Sequence, residues 1–120
     1  MAKLDDYRRC VQQVLERYSQ RQPAYGDLER QLLFDPVRDR YLLATVGWHQ
    51  RQRVYGCLLH VDIRDGQIWI QHDGTEEGLA PELVTLGIPK EDIVLAFHAP
   101  SKRHLTGFGV GRDSTGQQAA

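Results

Sequence analysis

Cysteine is scarce: Cys10 and Cys57 are the only two in 120 residues. One falls in a helical segment and one in a strand-like segment, which makes neither a disulfide framework nor a Cys-rich metal site. Both are expected to be buried free thiols acting as small hydrophobes in a cytoplasmic protein. No apolar run approaches the roughly 18 residues of a membrane helix. The opening MAKLDDYRRC carries acidic residues and no apolar core of a secretory signal, so the expectation is a cytoplasmic chain with no membrane association. There is no GxxxxGK[ST] phosphate loop and no GxSxG nucleophile motif. The alternating glycines of GFGVGR at 107–112 have no helix-sized sequence behind them, which argues against a nucleotide fingerprint. Nor is there an excess of positive charge. The net charge is −1, with about +3 on residues 1–64 and about −4 on residues 65–120 by side-chain count, so tight direct binding to DNA is not favoured. An acidic half is better suited to meeting a basic partner surface.

What remains is 41% hydrophobic and 26% charged, ordinary for one globular domain. Leu4, Tyr7, Val11, Val14, Leu15 and Tyr18 recur at helical spacing, predicting an amphipathic helix over about residues 3–21 that Pro23 and Gly26 end. Strands are predicted at 28–35, 40–49, 53–64 and 67–72. The first turn is Asp35-Pro36-Val37-Arg38-Asp39; the second, after His49, is polar and of no readable type. Apolar residues on both faces of 40–49 suggest an interior strand. Glu76 and Glu77 open a second helix starting near Glu77, with Pro81 in its first turn and Gly87 just past its end. Ile93–His98 reads as a buried strand, His104–Val110 as a last short one, and the tail after 110 as flexible. The fold class is α+β: a long N-terminal helix packed on an antiparallel meander sheet, then a second helix and one or two short C-terminal strands. Residues 1–110 form the single domain.

His60, Asp62, His72 and Asp73 suggest a metal or acid–base site on the hairpin 53–72. Asp65-Gly66 supplies a test, because a two-residue type I′ loop fixes the register. Arg64 then faces Gln67, Ile63 faces Ile68, Val61 faces Ile70 and Leu59 faces His72, on an apolar side. Asp62 faces Trp69, His60 faces Gln71 and Leu58 faces Asp73 on a polar side, where Trp69 is suited to exposure. His60 and His72 are thereby placed on opposite faces and cannot share an ion unless a bulge intervenes. A lone histidine–carboxylate pair without a third ligand is weak evidence for zinc. Cys57 sits in a poor setting for a reactive thiolate. His98 is expected to cap its strand or bond a turn, and Trp48 to anchor a core or an interface. No catalytic, cofactor-binding or metal residue is assigned, and no cofactor. The candidate interaction surface comprises His60, Asp62, Trp69, Gln71, Asp73, Glu76 and Glu77.

The run GCLLHVDIRDGQIWIQHDGTEEGLAPELVTLGIPKEDIVLAFHAP, followed by TGF, resembles the XisI family of fdxN element excision controlling factors, found mainly in cyanobacteria. The resemblance extends over about residues 3–110. It departs from the family at Pro81 and in the ending GVGRDSTGQQAA. It implies a non-catalytic accessory factor for site-specific excision of a DNA element, working through protein–protein contact with a XisH-like partner or with the recombinase. It supplies no catalytic residues. Two rivals stand beside it: an antitoxin-like binder that restrains a nuclease partner, and a metal-dependent nuclease or hydrolase using His60, Asp62 and Asp73. A homodimer through a sheet edge or through the Trp-bearing face is compatible with each.

Overall fold

In the computed structural model, which describes residues 2–21 and 26–111, helix α1 spans Ala2–Ser19. Pro23 lies outside the described residues. The helical stripe is buried as its spacing requires: Tyr7, Val11, Val14, Leu15 and Tyr18 are each at most 6% exposed. Burying each of these large side chains contributes about 1.5–3 kcal/mol, so the helix is held by the sheet beneath it more than by its own propensity.

The sheet has five strands in the order β1 (Asp27–Asp35), β2 (Arg40–His49), β3 (Gln52–Arg64), β4 (Gln67–Asp73) and β5 (Ile93–Leu95). The first four form the expected antiparallel meander. The fifth pairs parallel with β4, which makes the sheet mixed. Both two-residue hairpin loops are of type I′, with φ of 54° and 73° at Asp65 and Gly66 and 52° and 74° at Gln50 and Arg51. Only the first advertises itself, because Asp-Gly suits positive φ and Gln-Arg does not. Between β1 and β2, the Asp35 carboxylate accepts the amides of Val37 and Arg38, an Asx turn.

One face of the sheet packs on the helices. Tyr41, Leu43, Leu59, Val61, Ile63, Ile68, Ile70 and Ile93 point there and join the α1 stripe in one core. Helix α2 (Leu79–Thr85) starts two residues later than the predicted Glu77, with Gly78 at its N-cap. Its end is a Schellman motif: the Gly87 amide bonds Val84 O and the Ile88 amide bonds Leu83 O. Leu83 and Ile88 are both buried, supplying the apolar contact that accompanies this cap. The segment expected as a last strand is not one. Residues 100–105 form a 3-10 turn, and only Gly109 makes a bridge, parallel to Val94. The tail from 112 lies outside the described residues. Among the described residues no helix is long and apolar enough to cross a membrane.

Candidate interaction surface

The β3–β4 register follows the predicted pairing from Arg64↔Gln67 through Val61↔Ile70, then shifts. Gln71 is the extra residue of a β-bulge, so His60 pairs with His72 and Leu59 with Asp73. The expectation that His60 and His72 occupy opposite faces is therefore corrected. A two-for-one bulge reverses the alternation beyond it, and no side chain here announces it. The two histidines share a row, but no third ligand joins them: among the described residues no group of three His, Cys, Asp or Glu is placed to hold a metal ion.

The outward residues of the hairpin form a small polar network. His60 Nε2 lies 3.0 Å from Asp62 Oδ1, and Gln71 Nε2 donates to Asp62 Oδ2 at 3.2 Å. Asp62 is satisfied by these neighbours, which suits a positioned carboxylate on a half-covered sheet.

Asp73 is turned by the bulge toward the helices. Its carboxylate accepts the Thr75 amide and hydroxyl and, at 2.6 Å, the amide of Leu79, the first residue of α2. It thereby does the work of a helix N-cap from outside the helix. Glu76 and Glu77 are exposed on the loop between. Glu77 pairs with Arg21 at 2.5 Å, and the Arg21 hydrogen bond holds its carboxyl below the ordinary range. Glu82 meets Arg17 at 3.4 Å, while Asp92 pairs with Lys3 and accepts the Tyr7 hydroxyl. Glu77, Glu82 and Asp92 of the acidic half are thus paired with cations on or just beyond α1.

Trp69, expected to be open, is fully buried. The Arg64 guanidinium stacks 3.8 Å from its ring centre and that of Arg103 lies 5.4 Å away. A side chain on Gly111 would run into the indole, so the C-terminal segment passes directly over it. Arg103 pins that segment. It is 2% exposed, and its guanidinium donates to the carbonyls of His98, Ala96 and Val110. Sequence reasoning missed Arg103, since a basic residue in a polar turn gives no sign of burial. His98 lies three residues past the end of β5: its carbonyl accepts from Arg103, and its ring lies 4.8 Å from that of Phe97.

The outer face left bare lies over β1–β3, not over β4. Leu33, Trp48 and Tyr55 are 51%, 53% and 78% exposed there, and Leu42, Ala44 and Val46 are half-buried between them. Cys57, expected to be buried, is exposed on the same face, and Cys10 is half-buried.

The chain matches the XisI protein family over residues 1–110. The chain belongs to the XisI family. A solved XisI-like protein from Anabaena variabilis ATCC 29413 is 42% identical to it, with a TM-score of 0.84 over 90% of this chain and 99% of the other. The fdxN element excision controlling factor XisI from the same organism is 36% identical, with a TM-score of 0.79 over 91% of this chain and 99% of its own. Among curated proteins nothing matches. The helix-on-meander arrangement described above is thus the architecture of XisI-like proteins, and the bulge, the Asp73 cap and the Arg103 clasp are how this XisI chain achieves it.

Proposed function

We propose that this XisI-family chain is a non-catalytic control factor for site-specific excision of a DNA element, acting in the cytoplasm by contact with a XisH-like protein or with the recombinase. The observation that carries the reading is the relative matched over almost its whole length, which is itself an excision controlling factor. The side chains are consistent with a role in contact rather than chemistry. The best polar cluster, His60–Asp62–Gln71, is closed on itself. Glu76 and Glu77 stand exposed at the start of α2, with Gln71 and His72 on the strand that leads to them. This corner is the proposed contact for a basic partner surface, where charge steers encounter and sets specificity. Co-expression of the chain with a tagged XisH-like product of the neighbouring reading frame is expected to yield a stable complex. Charge reversal at Glu76 and Glu77 together is expected to weaken it by tenfold or more. Absence of a complex, with the reversals inert, would overturn the reading.

A further inference from the structure

A groove between the end of β5 and the 3-10 turn 100–105 belongs to neither surface described above. It has a volume of about 470 Å³ and is lined by Leu95, His98, Lys102, Leu105 and Thr106. That size falls among small-molecule sites, which run from roughly 300 to 1,000 Å³. Backbone bonds fix its walls: the His98 amide donates to Leu95 O at 3.1 Å, the Lys102 amide to Ala99 O at 2.8 Å and the Thr106 amide to Arg103 O at 3.0 Å. The buried Arg103 ties the turn to the end of β5 through the carbonyls of Ala96 and His98. The groove is therefore preformed, which spares a ligand the cost of ordering it.

The lining divides by chemistry. Leu95 is half-buried and Leu105 is 70% exposed, so one part of the groove is apolar surface left in water. The Thr106 hydroxyl is committed, donating to the Arg103 carbonyl and accepting the Phe108 amide. The Lys102 ammonium and the His98 ring are not: among the described residues neither has a hydrogen-bond or ion-pair partner, and the His98 ring rests against Phe97. By contrast Lys3, Arg8, Arg9, Arg17, Arg21 and Arg38 each meet a carboxylate. No Asp or Glu occurs from Ile93 to Gly111, a stretch that holds Lys102, Arg103, His98 and His104. A chain of net charge −1 thus keeps one locally cationic groove beside exposed apolar surface. We infer that the groove binds a small organic acid, a single carboxylate on an apolar body. The carboxylate accepts from the Lys102 ammonium and from a ring N–H of His98, while the body lies along Leu95 and Leu105. A charge-assisted hydrogen bond of this kind is about twice as strong as a neutral one, and the apolar body adds burial that a bare anion lacks. The inference does not depend on the proposed function, and it uses none of the residues of the Glu76–Glu77 corner.

The test is calorimetric titration of the full chain with octanoate, beside octanamide as its neutral counterpart and acetate as the carboxylate alone, with amide chemical shifts locating the bound probe. Octanoate is expected to bind saturably, one per chain, below millimolar concentration, and to move the amides of His98, Lys102, Leu105 and Thr106. Octanamide and acetate should each bind roughly tenfold more weakly or worse. Lys102→Gln and Leu105→Ser lie at exposed positions, and circular dichroism confirms that both fold. Lys102→Gln should weaken octanoate roughly tenfold while leaving octanamide unchanged, and Leu105→Ser should weaken both. Arg53→Gln, outside the groove, should change neither. No saturable binding of octanoate overturns the inference. So does equal affinity for octanamide, indifference to both groove variants, or shifts centred on Trp48 and Tyr55, which would put the probe on the bare sheet face instead.

Discussion

Arg103 and Trp69 form the residue-scale contact on which the C-terminal third depends. Replacing Arg103 by Met leaves three carbonyls without their donor, each a desolvation cost of about 1–3 kcal/mol. The expected loss is about 3 kcal/mol or more in urea unfolding, together with new acrylamide access to a tryptophan that is shielded in wild type. Glycine gives a sharper contrast. Gly47 has φ +150°, and a Cβ there would sit 2.0 Å from the Asp27 carbonyl oxygen, so Gly47→Ala must push β1 from β2 and is expected to cost 2 kcal/mol or more. Gly56, in the paired strand, has nothing within 4 Å, and its alanine variant should stay within about 0.5 kcal/mol of wild type. Acid stability turns on Asp39, whose carboxyl is held below the ordinary 3.8 chiefly by the Arg8 hydrogen bonds. A depressed pKa contributes stability above the unfolded value and loses it as pH falls through the folded one. Asp39→Asn should therefore flatten the stability profile below about pH 4, with Asp5 left as the acidic partner of Arg8 at all pH values.

At the scale of elements, the hairpin turns and helix faces follow from local chemistry, and the departures follow from contacts distant in sequence. Asp73 joins the two cases. It lies six residues before Leu79, too far for any capping rule, yet its carboxylate satisfies that amide. Asp73→Ala is expected to cost about 0.5–2 kcal/mol and to fray α2, seen as faster amide exchange at Leu79 and Ala80. The α1 stripe, the Asp65-Gly66 turn and the Gly87 stop were legible because each depends on residues within one or two turns of chain. The Gln71 bulge was not, because an inserted residue leaves a sequence that alternates as well as before. Burial of Trp69 was not either, since it is imposed by residues 103–111 crossing the sheet. The same crossing replaced the last predicted strand with a 3-10 turn and a single bridge. The candidate surface thus kept Glu76 and Glu77 as exposed groups, lost Trp69 to the interior, and lost Asp73 to a cap.

At the scale of the whole molecule, two surfaces have different chemistry. One is the bare outer face of β1–β3, with Leu33, Trp48 and Tyr55 exposed on it. The other is the acidic corner before α2, proposed to meet a basic partner. The most direct test of the central proposal is excision itself, measured as the rejoined-junction product in cells carrying the element, its recombinase and the XisH-like partner, with and without this chain. The product is expected to depend on the chain, and reversing charge at Glu76 and Glu77 is expected to reproduce its absence in a folded protein. Excision proceeding at the same level whether or not the chain is present would contradict it.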